Sequence, residues 1–480
     1  MKDSQPIQLA FNWEAEVKPR GRGARVDSFP ARPRIERPMF GENLMEEMCE
    51  RGNMRAALQQ VRANQGSPGI DDMRVDALPD FLKAHWLAIK EQLLQGTYQP
   101  RAIKRVEIPK PGSQEKRKLG IPCVIDRLIQ QAMLQVLQWR WDPTFSAFSY
   151  GFRPGRSAHQ AVAQAQAYLE QGYSYVVDID LEKFFDRVCH DRLMSHLAQR
   201  ITDKRVLTLT RAFLQAGILE DGLMTTPTEG TPQGSPLSPF LSNVVLDELD
   251  KELENRGHRF CRYADDSNIY VRSVRAGVRV LASLSRFITR RLKLKVNWSK
   301  STVDRPWKRS FLGFSFTGGK RPKRRKIAPK ALARFKAQVK ALTRRNQGRS
   351  LKHVITTLSA YLRGWIGYFG FCQTPAVLRD LDSWIRHRLR CLQWKHWKVY
   401  RRRKAELIKR GIPQALAHTT AWSAKGPWKI SHTPGVRMAL NNHFFDQMGL
   451  DPIKCSPQHV TAPNRLGTDP YARWCGRGEL

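Results

Sequence analysis

The feature of the sequence that most constrains its fold is a tight turn between two strand-like segments. These segments cover residues 259–263 and 267–272, and Ala264, Asp265 and Asp266 form the turn between them. So short a connection allows only an antiparallel hairpin, because parallel strands need a crossover of a dozen or more residues. The sequence therefore predicts an antiparallel sheet with two adjacent carboxylates at the tip of a hairpin.

Another strand-like segment, residues 173–180, ends on a third carboxylate, Asp180. Taken singly, an Asp after a strand is usually a helix N-cap, and an Asp pair in a turn is usually part of the turn. Together, the three carboxylates match what two-magnesium nucleotidyl transfer requires, which is two or three Asp on rigid elements. Asp178 competes for the same role, because alternate residues of a strand share one face.

The charge of the chain indicates a polyanionic partner. There are 82 Lys and Arg against 43 Asp and Glu, a net charge of +39. Residues 301–410 alone hold 30 Lys and Arg and four acidic residues, a net charge of +26, which favours a localised nucleic-acid-binding face. A membrane surface is the alternative, but the uncharged apolar run at 364–378 has 15 residues. That is short of the roughly 20 residues needed to span a bilayer.

The spacing of apolar residues predicts the main elements. Helices are expected at 78–94, 124–139, 181–199 and 239–253, a hairpin at 106–121, and helical structure from 326 to about 410. The eight cysteines contain no C-x-x-C pair, which favours reduced thiols. A zinc cluster of Cys455, His459 and Cys475 is the alternative for the last of them.

Several short blocks occur in a family-specific order. They are NQGSPGID at 64–71, RKLGIP at 117–122, SYGFRPG at 149–155, DLEKFFD at 180–186, GTPQGSPLSP at 230–239, YADD at 263–266, LKVNWSK at 294–300, FLGF at 311–314 and GWIGYF at 364–369. From about residue 64 to 371, this succession resembles the group II intron-encoded reverse transcriptases, also called maturases. It resembles the bacterial type without the His-Asn-His endonuclease of longer members.

The resemblance implies an α+β fold with the architecture of a right-hand polymerase. After a basic leader at 1–42, fingers and a palm with an antiparallel sheet are expected over 43–320. A helical thumb and maturase domain are expected over 321–415. A small basic region, a candidate for DNA binding, would follow at 416–480.

The resemblance also implies roles for individual residues. Asp180, Asp265 and Asp266 would be catalytic and would hold metal together with Leu181. Nucleotide binding would involve Lys104, Arg105, Arg117, Lys118, Phe185, Gln233 and Lys300. The primer would be gripped by Leu312 and Gly313, and RNA would be bound by Arg363, Trp365, Tyr368, Arg401, Arg402, Arg403 and Lys404.

Each of these roles has an alternative. Phe185, which would lie under the sugar and leave no room for a 2′-hydroxyl, could equally be a core residue. Gln233, expected at the incoming base pair or template, could be an ordinary loop amide. The cations of the hairpin could be solvated edge charges, and the aromatic residues of the last third could form the core of the thumb.

The resemblance finally implies cofactors and partners. Two Mg²⁺ ions are expected, with Mn²⁺ as a substitute. The expected partners are group II intron RNA, an RNA template with a DNA primer, deoxynucleoside triphosphates and target DNA. The chain would synthesise DNA on RNA and promote splicing and mobility by target-primed reverse transcription. It is expected to be cytoplasmic, without membrane contact, and a monomer or homodimer. A splicing-only RNA-binding maturase and a reverse transcriptase of another lineage, such as a retron or defence-associated enzyme, are the alternatives.

Overall fold

The computed structural model describes residues 40–109, 116–220, 223–319 and 323–454. Nearly all of the predicted leader lies outside these ranges, as does the alternative zinc cluster of Cys455, His459 and Cys475. Within these ranges the six cysteines are free thiols. None of the helices described here is long and apolar enough to cross a membrane.

The N-terminal part combines helices with a β-hairpin. Its elements are α1 (Leu44–Met48), α2 (Arg51–Asn64), α3 (Leu78–Gln95), β1 (Ile103–Pro109), β2 (Lys116–Ile121) and α4 (Val124–Trp141). The helices predicted at 78–94 and 124–139 and the hairpin predicted at 106–121 are confirmed. Helix α4 is buried along most of its length, because α2 packs against it on one side and the central core on the other.

The central part is built around antiparallel strands. Its elements are α5 (Ala158–Glu170), β3 (Tyr175–Ile179), α6 (His190–Ala198), α7 (Lys204–Gln215), β4 (Ile218–Glu220), β5 (Leu223–Thr225), α8 (Ser238–Asn255), β6 (Arg259–Tyr263), β7 (Asp266–Val271), α9 (Val274–Phe287), β8 (Thr302–Asp304), β9 (Phe314–Phe316) and β10 (Arg325–Ile327). Strands β6, β7, β3 and β8 form, in this order, the central sheet, in which all neighbours are antiparallel. The predicted antiparallel sheet is therefore confirmed. A second sheet, β2–β1–β4–β5, extends the N-terminal hairpin.

The central sheet has an apolar core on each face. Val177 and Ile269 belong to a core shared with the N-terminal helices. Val176, Cys261 and Tyr270 belong to a second core shared with the C-terminal helices. This division follows from strand geometry, because successive side chains point to opposite faces. The central sheet therefore lies between two apolar cores.

The helix predicted over residues 181–199 is wrong in its first half. Leu181 forms an isolated β-bridge with Val296, and Lys183 has a left-handed conformation with φ of 48°. A single 3₁₀ turn follows at Phe184–Asp186, and α6 begins only at His190. Pairing with a distant segment overrides the helical spacing here, as tertiary context commonly does.

The C-terminal part of the described chain is helical. Its elements are α10 (Pro329–Leu342), α11 (Leu351–Phe369), α12 (Pro375–His396), α13 (Tyr400–Lys409), α14 (Gln414–Trp422), α15 (Pro427–Ile430), α16 (Pro434–Ala439) and α17 (Asn442–Gln447). The helical structure predicted up to about 410 is confirmed, except that residues 326 and 327 belong to β10. Val436 and Phe445 share a core with α11 and α12, so packing continues beyond residue 416.

Candidate active site and nucleic-acid surface

Three aspartates meet at one edge of the central sheet. Strand β3 ends at Ile179, opposite Ser267 of β7, so Asp180 lies next to Asp266 at the start of that strand. The main chain of Asp180 is held on both sides: its N–H donates to Ser301 Oγ at 3.0 Å, and its carbonyl accepts from the N–H of Asn297 at 2.8 Å. The turn before β7 adds Asp265. The structure thus brings together the three carboxylates that the sequence singles out.

The pKa values of these groups reflect their crowding. Burial raises the pKa of Asp265, and the charge of Asp180 raises it further. Burial also raises the pKa of Asp266, to about 8, and the charges of Asp265, Asp178 and Asp180 add to that effect. Each ionised carboxylate makes ionisation of the next one harder, and a cation at this edge would relieve the repulsion.

Basic side chains already surround this edge. Lys300 Nζ lies 3.7 Å from Asp180 Oδ2, and the charge of Lys300 opposes the rise in the pKa of Asp266. Asp178 is occupied differently, because Arg309 donates to its Oδ2 from two nitrogens, at 3.1 and 2.6 Å. The charge of Asp178 therefore has its own partner. This arrangement favours Asp180 over Asp178 as the carboxylate that is available to a ligand.

The donor set suits a hard divalent cation. Its atoms are carboxylate oxygens, its charge is negative, and the ammonium of Lys300 provides a cationic counter-charge. In the part of the chain that the structure describes, no group of three or more His, Cys, Asp or Glu side chains is placed to hold a metal ion. Mg²⁺ does not require one, since it commonly uses one or two carboxylates and completes its shell with substrate phosphates and water.

A buried arginine holds the hairpin that carries Asp265 and Asp266. Arg262 is completely buried and forms a two-pronged ion pair with Asp250 of α8, at 2.7 and 2.6 Å. One of its remaining donors reaches the carbonyl of Ala264, at 2.9 Å, within the turn itself. Another reaches Ser149 Oγ at 2.7 Å. The guanidinium of Arg262 therefore holds the turn at Ala264 in place, a role that the sequence did not indicate.

The turn is also strained and tightly enclosed. Ala264 has φ of 56°, a conformation that residues with a Cβ rarely adopt. Gly151 lies directly against it, and a Cβ at Gly151 would come within 2.3 Å of the Ala264 nitrogen. The carbonyl of Gly151 accepts from Asn243 Nδ2 at 2.9 Å. The glycine in the block at 149–155 is therefore required by this close approach.

Four of the predicted nucleotide-binding cations, Lys104, Arg105, Arg117 and Lys118, lie on the hairpin sheet β2–β1–β4–β5, where acidic residues hold three of them. Lys118 Nζ lies 2.7 Å from Glu220, Arg105 lies 3.3 Å from the same carboxylate, and Lys104 lies 3.4 Å from Asp72. These ion pairs are exposed or half-exposed, and such pairs contribute little to stability. Arg117 lies close enough to Asp265 for its charge to lower the pKa of that carboxyl.

The loop after β5 connects this sheet to Phe185. The carbonyl of Gln233 accepts from the N–H of Gly120 at 2.7 Å, and the N–H of Thr231 donates to the carbonyl of Phe185 at 2.6 Å. Gly234 has φ of 119°, and a Cβ there would come within 2.6 Å of the Gly120 carbonyl. The structure therefore brings Gln233 and Phe185 into one continuous strip, and both side chains are half-buried.

The predicted primer grip is a tight turn between Phe311 and Phe314. Leu312 and Gly313 both have positive φ, 51° and 78°. The carbonyl of Leu312 accepts from the Tyr368 hydroxyl at 2.8 Å, and the carbonyl of Gly313 accepts from the N–H of Ala328 at 2.9 Å. Helix α11 thus fixes the turn against the central part.

The RNA contacts predicted for Trp365 and Tyr368 do not fit the structure. Both rings are buried. Trp365 packs on Phe335 with ring centroids 4.1 Å apart, and Tyr368 is committed to Leu312 through its hydroxyl. A base cannot stack on a ring that is already enclosed by the core. The alternative assignment, in which these aromatic residues form the core of the helical part, is the one that the structure supports.

The predicted RNA-binding cations differ in their exposure and in the contacts that they already make within the protein. Arg363 is exposed but lies 2.8 Å from Asp451. Arg403 donates to the carbonyl of Trp397 at 2.8 Å, and its guanidinium lies 4.9 Å from the Trp394 ring. Arg401 and Arg402 are exposed on the first turn of α13, and Lys404 is half-exposed. Arg401 and Arg402 are therefore the members of this set most open to a ligand.

Two regions of the chain match known protein families. Residues 108–316 match the family described as reverse transcriptase (RNA-dependent DNA polymerase), and residues 332–410 match the group II intron, maturase-specific domain. Protein YkfC of Escherichia coli (strain K12) is 33% identical over 275 residues, which cover 49% of this chain and 72% of YkfC. Group II intron-encoded protein LtrA of Lactococcus lactis is 36% identical over 197 residues, which cover 41% of this chain and 32% of LtrA.

One solved structure, the partial Cas6-RT-Cas1–Cas2 complex, gives a loose likeness. It covers 51% of this chain and 42% of the matched chain, with 24% identity and a TM-score of 0.34. The sequence similarity to LtrA, in turn, covers about a third of LtrA's own length.

The central sheet with its carboxylates, together with the match at 108–316, defines the class of protein. It is an RNA-directed DNA polymerase with the mixed helix-and-sheet architecture of a right-hand polymerase. The match at 332–410 and the similarity to an intron-encoded protein point to one family within this class. The chain belongs to the family of group II intron-encoded reverse transcriptases and maturases, which confirms the resemblance found in its sequence.

Proposed function

We propose that the edge of the central sheet where Asp180, Asp265 and Asp266 meet, which we call the carboxylate edge, is a polymerase active site. There the protein would extend a DNA primer on an RNA template with two Mg²⁺ ions, which Mn²⁺ can replace. Asp180, Asp265 and Asp266 would hold the ions, and Leu181 would add its main-chain carbonyl, since leucine has no other ligand atom. The observation that carries this proposal is the convergence of Asp180 on the Asp265–Asp266 turn. Bound there, the ions would lower the pKa of the primer hydroxyl and neutralise the triphosphate.

The cations of the hairpin sheet would bind the triphosphate and template phosphates. Lys104, Arg105 and Lys118 now contact carboxylates in weak, solvent-accessible pairs, and phosphate oxygens can take the place of those carboxylates. Arg117 and Lys300 act electrostatically on Asp265 and Asp266. Their proximity to the carboxylates supports a role near the reacting end of the nucleotide.

The strip formed by Phe185 and Gln233 would position the incoming nucleotide. Phe185 would lie under the sugar, where its ring leaves no room for a 2′-hydroxyl. Gln233, held through its carbonyl by Gly120, would contact the incoming base pair or the template. Leu312 and Gly313 would hold the primer strand at the turn anchored by α11.

These roles correspond to the parts of a right-hand polymerase. The helices and hairpin at the N-terminus would be the fingers, and the central sheet would be the palm, together covering 43–320. The helices from α10 onward would be the thumb and maturase domain over 321–415. The basic region at 416–480 would add DNA contacts.

The chain would also bind group II intron RNA to promote splicing, and target DNA for mobility by target-primed reverse transcription, as a monomer or homodimer. Two observations support this second activity. One is the match of residues 332–410 to the maturase-specific domain. The other is the net charge of +26 over residues 301–410. Arg363, Arg401, Arg402 and Lys404 are the candidate contacts.

Two competing functions fit less well. A maturase that only promotes splicing would have no need of the three aspartates or of the Arg262 clamp beneath them. A reverse transcriptase of another lineage, such as a retron or defence-associated enzyme, would not explain the match to the maturase-specific domain.

Removal of a single carboxylate tests the polymerase site. Asp180→Asn or Asp265→Asn should lower extension of a DNA primer on an RNA template by about a thousandfold or more, because removing a metal ligand takes away several kcal/mol of transition-state stabilisation. Asp191→Asn, which changes an exposed carboxylate on α6, should extend normally. RNA binding should persist in all three variants. Near-normal extension by either active-site variant would place the catalytic centre elsewhere.

A further inference from the structure

A cavity of about 790 Å³ opens between the C-terminal helices, away from the carboxylate edge. Its lining residues come from four places: the loop after α10, one face of α12, the segment from Lys398 into α13, and Pro427 at the start of α15. Six of them are cationic, namely Arg344, Arg345, Arg388, Lys395, Lys398 and Arg403, and none is acidic. We call it the cationic cavity.

Neutral groups, and not carboxylates, hold the arginines of this cavity in place. Arg388 donates from Nε to Thr343 Oγ1 at 2.7 Å, and its guanidinium lies 5.4 Å from the Trp384 ring. Arg403 is held by the carbonyl of Trp397 and by the face of Trp394. Carbonyls, hydroxyls and aromatic rings orient a guanidinium without neutralising its charge.

Other cations of the same helical part are paired with acids. Arg386 contacts Asp382 and Asp446, at 2.7 and 2.9 Å, and Arg410 pairs with Glu406. Within the described residues, the ion pairs include none of the six cations of the cavity. Carboxylates therefore neutralise Arg386 and Arg410, whereas the cations of the cavity have no such partner among the described residues.

Uncompensated like charges on a concave surface repel one another, and low local polarity increases the repulsion. Burial and the nearby charge of Arg345 both lower the pKa of Arg388, as expected for such crowding. A polyanion would remove this cost. Guanidinium groups bind phosphate oxygens in a two-pronged geometry, and cations that converge from three segments fit more than one phosphate at a time.

We infer that the cationic cavity clamps two or more closely spaced phosphates, the arrangement that occurs where the backbone of a folded RNA turns sharply. A regular duplex spreads its phosphates along two strands, so a compact cavity would reach few of them, whereas a sharp turn gathers several phosphates at one place. The inference rests on the proposed binding of structured RNA and specifies where a bend of that RNA is held. A free polyphosphate has the same chemistry and is the other source of such a ligand.

The test compares two pairs of exposed cations. Arg344→Ala/Arg345→Ala removes two charges from the cavity, and Lys336→Ala/Arg379→Ala removes two charges from α10 and α12 outside it. The full chain is titrated with transfer RNA, which has sharp backbone turns, with an RNA duplex of equal phosphate number, and with inorganic tripolyphosphate. Melting temperatures should match wild type, because all four side chains are exposed.

The cavity variant should bind transfer RNA more weakly than the control variant does. Its slope of log affinity against log salt should flatten by about 0.7 to 0.9 for each phosphate that the protein no longer neutralises. Duplex binding should change equally in both variants, and tripolyphosphate should compete with transfer RNA for wild type and the control variant but not for the cavity variant. Equal weakening of transfer RNA binding in the two variants would overturn the inference. Tight binding of tripolyphosphate with unchanged transfer RNA affinity would assign the cavity to a free polyphosphate and overturn the RNA source.

Primer extension separates this inference from the polymerase proposal. Arg344 and Arg345 lie outside the carboxylate edge, so the cavity variant should extend a preformed primer–template normally. If wild type extends but the cavity variant binds transfer RNA as wild type does, only the clamp is wrong. If wild type itself fails to extend, the proposed polymerase function fails, whatever the RNA titrations show.

Discussion

At the scale of single residues, the candidate site depends on one side chain that reaches no substrate. Arg262 donates hydrogen bonds to Asp250, Ser149 and the carbonyl of Ala264. It therefore holds a strained turn in a single geometry. Strained main chain persists only where its surroundings over-determine it. Arg262 is therefore a positioning residue for Asp265 and Asp266, and its replacement should change catalysis more than substrate binding.

Arg262→Lys tests this role, because lysine keeps the charge but has no planar fork. We expect kcat for primer extension to fall roughly 10- to 100-fold, the usual effect of disturbing groups behind metal ligands. KM for the nucleotide should change little, and the Mg²⁺ concentration for half-maximal rate should rise. Arg200→Lys is the control, since Arg200 is equally buried but packs on Phe40 and Trp141, outside the central sheet. If kcat and melting temperature fall together equally in both variants, Arg262 is merely structural.

The choice of sugar gives a second prediction at this scale. Phe185 is half-buried, and its carbonyl accepts from the N–H of Thr231. Phe185→Ala should raise incorporation of ribonucleotides relative to deoxyribonucleotides by roughly tenfold or more, the range in which a pocket discriminates one small group. Phe185→Tyr keeps the ring and should keep the discrimination. An unchanged ratio in the alanine variant would show that Phe185 is a core residue and that the gate lies elsewhere.

The sequence predicts the clustered carboxylates better than it predicts the side chains that hold them in place. Asp180 and the Asp265–Asp266 pair stand out because local pattern alone places them at strand ends. Arg309, which occupies Asp178, is 131 residues away along the chain, and no local pattern indicates such a pair. The prediction for Trp365 and Tyr368 was wrong for a related reason: an aromatic among arginines has the same spacing whether it packs in a core or binds a base.

At the scale of elements, the hairpin sheet is joined to α4 through a buried carboxylate. Asp126, in the first turn of α4, accepts from the Tyr98 hydroxyl at 2.8 Å and from the N–H of Arg101 at 3.2 Å. Burial nevertheless raises the pKa of Asp126 to about 6. The strand that carries Lys104 and Arg105 begins just after Arg101, so this contact helps to set where those cations lie.

The raised pKa predicts a pH dependence of stability. A carboxyl with a higher pKa in the folded state binds its proton more tightly there, so its favourable contribution is complete below about pH 4 and disappears as pH rises through about 6. The free energy of unfolding of wild type should therefore fall relative to Asp126→Asn by up to about 3 kcal/mol between pH 4 and 7. Tyr98→Phe removes a hydrogen bond that lowers this pKa and should move the transition to higher pH. A pH-independent difference between wild type and Asp126→Asn in denaturant titrations would contradict the assignment.

Elements were predictable where a local period decides the structure. Helices α3 and α4 follow from their apolar spacing, and the β6–β7 hairpin follows from the length of its turn. The segment at 181–189 has helical spacing too, but Leu181 pairs with Val296 and the chain leaves the helix. Helices α14–α17 were not predicted because they are short and their stability comes from packing on α12, α13 and one another, which sequence periodicity does not register.

At the scale of the whole molecule, charge is divided between two surfaces. The hairpin sheet carries one set of cations, and residues 301–410, with a net charge of +26, carry another. The cations within residues 301–410 differ in their contacts. Arg403 supports Trp394 and Trp397, whereas Arg401 and Arg402 are exposed on α13. A variant that removes all four basic residues at 401–404 would therefore damage packing as well as charge. Arg401 and Arg402 alone give a cleaner test.

Arg401→Ala/Arg402→Ala should separate the two activities. The slope of log affinity for group II intron RNA against log salt should flatten by about 0.7 to 0.9 for each phosphate left without its cation, and splicing should fall. Extension of a preformed primer–template at low salt should persist, because the carboxylate edge is untouched. Lys104→Ala/Lys118→Ala should do the opposite, weakening nucleotide use while intron binding persists, since those lysines lie on the hairpin sheet. Equal reduction of both activities in the α13 variant would mean that template and intron share one path across the protein, and a separate RNA-binding face would have to be abandoned.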